Sequence, residues 1–264
     1  LDELFRRSES RGREAAGLAI RYQDQLSVFK KPLAASEMIK RADYQRMLGT
    51  AIPDRRLTGP LAVIGHSRLV TNGFQAEPDN NQPVVRGDVV VVHNGIVVNI
   101  DSLWESCDEA RGSDVDTEII AAMLAHAAER AQDLAEGVRK FYRELVGTAA
   151  IGVLSAAHSM LLLASNYHTL YFVRDTAEGV LLFASERFIV EQLMAHPSLR
   201  HLSPGPIEVV GPRQFVTIDF DRLAVTWREV MTPAEAESPI APASAKLRVR
   251  DYARDDDPAR AELR

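Results

Sequence analysis

Four short polar segments define the chemistry this chain could do. His93-Asn94-Gly95 lies between two apolar runs, Gly65-His66-Ser67-Arg68 follows a third, and Asp116-Thr117-Glu118 precedes a helical pattern. Ser10-Arg11-Gly12 closes the charged first segment. An amide, two guanidinium groups and a carboxylate are groups that recognise a polar substrate, yet each segment also has a plain structural reading. Asn-Gly is the strongest short hairpin signal, so His93-Asn94-Gly95 reads first as a turn. Asp116 reads as a helix start, Arg68 as a charged loop residue and Ser10-Arg11-Gly12 as a helix stop. The single cysteine, Cys107, sits in Trp104-Glu105-Ser106-Cys107 on a polar connection and reads as a structural thiol. Asp255-Asp256-Asp257 reads as a solvated charge run rather than a metal site.

The background is that of an ordinary soluble globule, with 46% hydrophobic and 26% charged residues in 264, enough for one domain and a tail. A net charge of −6, without any basic run interleaved with aromatics, argues against a nucleic-acid partner. One cysteine cannot form an internal disulfide, which suggests a reducing, cytoplasmic setting. The most apolar stretch, 149–173, is broken by His158, Asn166, Tyr167 and His168, so it reads as adjacent strands rather than a membrane span. No phosphate-cradling glycine loop, nucleotide motif or metal cluster is present in the sequence, so no cofactor is implied.

The elements that must position these residues follow from periodicity. Residues 1–10 suit a helix, 16–28 a strand pair turning at Gln23-Asp24-Gln25, and 32–48 a further helix. A short strand at 61–65 stops at Gly65, and a loop rich in turn formers covers 71–82. Val89 to Val92 fits a strand buried on both faces. Helices are expected over 117–131, capped by Asp114 or Asp116, and over 134–145, where Leu134, Val138, Phe141 and Leu145 share a face. Strands follow at 149–154, 160–164, 170–174, 180–184, 207–210, 215–219 and 224–227, with a helix at 187–194. Mid-chain helices beside many antiparallel strands give an α+β layered fold. The domain is expected to span 1–231, with a linker at 232–245 and a charged tail at 246–264 that leads to a further domain or partner.

Order and spacing make the polar segments specific together. Ser10-Arg11-Gly12 with Ala15-Ala16-Gly17-Leu18-Ala19, Gly65-His66-Ser67-Arg68 with Thr71-Asn72-Gly73, and Gln82-Pro83 with Val91-Val92-His93-Asn94-Gly95 stand in series. Asp114-Val115-Asp116-Thr117-Glu118 and Leu145-Val146-Gly147-Thr148-Ala149 complete it. In that order they resemble the class II, N-terminal-nucleophile glutamine amidotransferase domains. The resemblance implies a four-layer αββα sandwich of two mainly antiparallel sheets. It also implies hydrolysis of the side-chain amide of L-glutamine, with ammonia passed to a synthetase or aminotransferase acceptor site.

It further implies roles. Asn94 and Gly95 would supply two oxyanion donors, Arg68 would fork onto the substrate α-carboxylate and Asp116 would take the α-ammonium. Thr71 and Asn72 would line the same pocket, and Arg11 would support the nucleophile. That nucleophile, a terminal cysteine whose α-amine shuttles the proton, belongs to a strand upstream of the position matching Arg11. Cys107, internal and lacking a free α-amine, cannot replace it, so the chain without that strand is expected to be inactive. Leu69, Asn72 and Gln82 depart from the sugar-phosphate aminotransferase branch, and the loop is closer to domains of sugar-modifying and surface-polysaccharide enzymes. Two other readings share the fold. One is a degenerate glutamine-sensing or assembly module; the other is a different N-terminal-nucleophile amidase, disfavoured by the Arg68 and Asp116 pair.

Overall fold

In the computed structural model the described residues are 1–230, without 24, 54–56, 70–79, 132, 156 and 168. The expected linker, the charged tail, Thr71 and Asn72 therefore lie outside the described residues.

The N-terminal part opens with helix α1 (Asp2–Ser8), and a 3-10 turn follows at Glu9–Arg11. Strands β1 (Ala15–Tyr22) and β2 (Gln25–Lys31) follow, then the short helices α2 (Ala35–Met38) and α3 (Ala42–Ala51), where one helix was expected. Strand β3 (Leu61–Arg68) runs through Gly65 instead of stopping there, so Arg68 is the last residue of a strand. Strands β4 (Val84–Arg86) and β5 (Val89–Val97) form a hairpin. Helices α4 (Ile100–Glu105), α5 (Thr117–Ala131) and α6 (Leu134–Glu144) follow. Next come β6 (Gly147–Ser155), β7 (Met160–Ser165), β8 (Tyr171–Asp175) and β9 (Val180–Ala184). Helix α7 (Arg187–Met194) precedes β10 (Glu208–Val209), β11 (Gln214–Asp219) and β12 (Val225–Glu229).

These strands make a six-stranded sheet, β12-β11-β7-β6-β5-β4, and two three-stranded sheets, β2-β1-β3 and β10-β8-β9, with every pairing antiparallel. Side chains alternate across a strand, so each face has its own core. On the six-stranded sheet Val89, Val91, Ile151 and Val153 face α5 and α6, meeting Ile119, Ile120, Leu124 and Phe141. Val90, Val92, Ala150 and Leu163 face the other way, onto Ile64 of β3 and Phe172 of β8. The outer face of the β1 sheet is covered by α1, α2 and α3 through Phe5, Met38 and Tyr44, and that of the β8 sheet by α7 through Ile189 and Val190. The order helix, sheet, sheet, helix is the αββα sandwich of an α+β protein, with its second sheet layer in two halves. The four valines of β5 are buried on both faces, as their run requires.

Candidate active site

The site forms where β3 and β5 end, one in each sheet layer. β5 does not turn at His93-Asn94-Gly95. The strand continues to Val97, and Gly95 keeps its pairing with Ala149 of β6 at φ +144°. A Cβ at Gly95 would stand 2.0 Å from the Thr148 carbonyl oxygen, so only glycine fits. The hairpin reading of Asn-Gly fails here because a positive φ serves a close strand approach rather than a reversal.

Alternation then separates His93 from Asn94. His93, buried on the helix side, has its Nδ1 3.5 Å from a carboxylate oxygen of Asp116 and 3.5 Å from the Thr117 hydroxyl. Asn94 falls on the inter-sheet side, and its Nδ2 is a buried donor with no acceptor among the described residues. β4 covers β5 only as far as Val91, which would leave the His93 backbone unpaired at the sheet edge. Gln82 substitutes for the absent strand: its Nε2 donates to the His93 carbonyl at 2.9 Å and its Oε1 accepts the His93 N–H at 2.6 Å.

Arg68 is buried at the end of β3, where its guanidinium donates to the Asn80 carbonyl and, at 3.0 Å, to Asn81 Oδ1. Asn80 Oδ1 also accepts the Asp114 N–H at 3.1 Å, which ties the β3 end to the entrance of α5. Asp116, just before α5, accepts the Val97 N–H at 3.2 Å. Burial alone would raise the Asp116 pKa. The bond and charge of His93 and the N–H groups of Val97 and Thr117 outweigh it and hold the carboxyl below its usual range. Asp116 is therefore an anion in a protein cavity. Arg11 reaches the site from the 3-10 turn and pairs with Glu186, at the start of α7, at 2.6 Å.

These elements bring together every described residue expected at the site. Arg11, Arg68, Asn94, Gly95 and Asp116 line one cleft, joined by His66. Cys107 lies away from it, half-buried against the α5 and α6 core, where burial raises its thiol pKa. A second, largely apolar cleft meets the first at Arg11, His66, Ser67, His93 and Asn94. It runs between the outer edge of β3, with Val63, Gly65 and Ser67, and the outer edge of β9, with Phe183 and Ala184. No described strand pairs with either edge.

Sequence reasoning passed over four supporting residues. In the sequence Gln82 stands out only as a motif member and a departure, Asn80 and Asn81 as turn formers, and His66 as part of a motif. The Nδ1 of His66 is enclosed without a partner among the described residues. Burial, followed by the charges of His93, Arg68 and Arg11, lowers the His66 pKa from 6.5 to about 3. A histidine held neutral lets the unfolded chain take a proton that the folded chain refuses, so stability falls as pH drops from 6.5 toward 3. His66→Gln should flatten the upper part of that decline, above the carboxylate range. Thermal unfolding across pH checks it, and an unchanged slope in His66→Gln would rule the histidine out.

Among the described residues no cluster of His, Cys, Asp or Glu could hold a metal ion, and no helix is long and apolar enough to cross a membrane. The sequence matches the family model for a glutamine amidotransferase domain over residues 66–192. It is 34% identical over 158 residues to the glutamine–fructose-6-phosphate aminotransferase of Acinetobacter baylyi, covering 58% of this chain and 24% of that protein. The same enzyme of Thermus thermophilus is 32% identical over 191 residues, 70% of this chain and 29% of the relative. The chain thus spans about a quarter of the length of these relatives. Among solved structures, the glutamine phosphoribosylpyrophosphate amidotransferase of B. subtilis superposes with a TM-score of 0.65 at 16% identity, over 88% of this chain and 46% of that one. That likeness bears on the fold alone. The family match, the aminotransferase relatives and the αββα sandwich agree, and over residues 66–192 this chain matches the glutamine amidotransferase domain family.

Proposed function

We propose that this domain hydrolyses L-glutamine and releases ammonia for a synthetase or aminotransferase acceptor site, in sugar or surface-polysaccharide biosynthesis. One observation carries the reading: a buried cation, a buried anion, a buried amide donor and a glycine backbone converge on a single cleft from three separate segments. Free glutamine presents the complementary groups, an α-carboxylate for Arg68, an α-ammonium for Asp116 and an amide carbonyl for Asn94 Nδ2 and the Gly95 N–H. Thr71 and Asn72, outside the described residues, are assigned substrate contacts on the same reading. Arg11, oriented by Glu186, supports the nucleophile. The domain occupies 1–231, and 232–264 leads to the acceptor domain or subunit. The relatives' names support sugar chemistry, since they are fructose-6-phosphate aminotransferases.

The nucleophile is assigned to a cysteine-bearing strand upstream of Leu1. The apolar cleft between the β3 and β9 edges supports this, because it offers two strand edges with no partner strand among the described residues and reaches Asn94. The cysteine thiolate attacks the amide carbon and the oxyanion settles against Asn94 and Gly95. The α-amine then passes the thiol proton to the departing ammonia. His66, neutral and beside the same cleft, adds no charge to compete with that amine. The test is made on protein expressed with the codons upstream of Leu1. A diazo-ketone analogue of glutamine should label the N-terminal cysteine and abolish ammonia release in step. An upstream segment without cysteine, or an intact cysteine that takes no label, would leave a glutamine-sensing module in its place.

A further inference from the structure

We infer that Tyr167 is a positioning residue of the oxyanion site. Its hydroxyl donates to the Asn94 carbonyl oxygen at 2.7 Å. That carbonyl belongs to the same peptide group as the Gly95 N–H. The bond between them is trans, so the carbonyl and the N–H point in opposite directions. Whatever fixes the Asn94 oxygen therefore fixes the aim of the Gly95 donor.

The need for such a fixture is local. Glycine at φ +144° has no side chain to hold its peptide, and the neighbouring strand comes within 2.0 Å of where a Cβ would be. The partner strand is secured from the same dipeptide. Asn166 accepts the Ala149 N–H on its Oδ1 at 2.9 Å and donates from Nδ2 to the Gly147 carbonyl at 3.0 Å. Asn166 thus holds the start of β6, the strand opposite Gly95, while Tyr167 holds β5. Tyr142 adds a bond from its hydroxyl to the Ala149 carbonyl at 3.1 Å. A hydrogen bond accepted at a peptide carbonyl also polarises that peptide, which makes its N–H a stronger donor. Tyr167 lines neither cleft, so it acts through Gly95 and not on the substrate.

This inference rests on the oxyanion role proposed above for Asn94 and Gly95. Tyr167→Phe deletes one hydroxyl and keeps the ring. In full-length protein it should lower kcat for glutamine hydrolysis roughly three- to ten-fold, the worth of one neutral hydrogen bond, with KM unchanged. In the chain itself, where no turnover is needed, the Gly95 amide proton should move upfield in the NMR spectrum as its peptide loses polarisation. A purely structural tyrosine would lower the melting temperature and leave both readouts where they were. Asn94→Ala serves as the reference for the site itself. Wild-type kcat in Tyr167→Phe beside a crippled Asn94→Ala overturns the positioning role alone. Wild-type kcat in Asn94→Ala overturns the oxyanion site, and the role of Tyr167 with it. An unmoved Gly95 resonance also counts against the role of Tyr167.

Discussion

Replacing Arg68 by alanine should abolish the use of glutamine, with kcat/KM falling by roughly two to four orders of magnitude. The side chain is buried at the end of β3, and removing one partner of a desolvated charge pair costs roughly 3–5 kcal/mol. Arg68→Ala also takes the guanidinium away from the Asn80 carbonyl and Asn81 Oδ1, so some folding stability goes with it. Arg68→Lys separates the two effects. It keeps the charge but offers a point donor in place of a planar fork, so it should fold well and still show a strongly raised KM. Steady-state glutaminase kinetics on full-length protein, beside a thermal melt, checks both. Wild-type kcat/KM in Arg68→Ala would falsify the carboxylate assignment.

Asn94→Ala should act on the other kinetic parameter. The buried Nδ2 has no acceptor among the described residues, the expected state of a donor reserved for charge that appears only in the transition state. Deleting such a donor typically raises the barrier by ~2.7–4 kcal/mol, a fall of about 10²–10³ in kcat. KM should change little, since the ground-state carbonyl makes weaker use of the site. The orphaned amide is removed along with the interaction, so the variant should be no less stable than the parent. A kcat within a factor of about two of the parent, in a variant with normal folding, would place the oxyanion elsewhere.

Much of this was legible in the sequence because residue type and order carry it. Helices α5 and α7 matched their expected bounds, since an apolar stripe with a polar start and a following breaker leaves little freedom. The valine run of β5 announced a strand buried on both sides. What the sequence hid was set by tertiary contact. Gly65 looked like a strand end, but β3 continues because β1 pairs with it along its whole length, from Leu61 to Arg68. His93-Asn94-Gly95 looked like a reversal, but β6 supplies a partner for each of the three residues. The helix expected over 32–48 breaks between Met38 and Ala42 to wrap the outer face of the β1 sheet. Motif order anticipated that Arg11, Arg68, Asn94, Gly95 and Asp116 would line one cleft. The parts played by Gln82 and Tyr167 were hidden, because a side chain that serves backbone atoms elsewhere leaves no periodic trace in its own neighbourhood.

The two sheet layers also have a metrological consequence. On the proposed reading, the substrate's α-carboxylate is gripped from the end of β3 while its reacting carbon lies against β5. The two ends of one small molecule are thus held by different layers of the sandwich. The distance between grips is set by the filling of the space between layers, where Ile64 meets Val92 and Ala150. That core therefore works as a caliper. Asparagine, one methylene shorter than glutamine, would be refused because it cannot span the jaws, with no residue needed to touch the missing atoms. Swelling or shrinking the filling at Val92 or Ala150 would then regauge which amide the domain accepts.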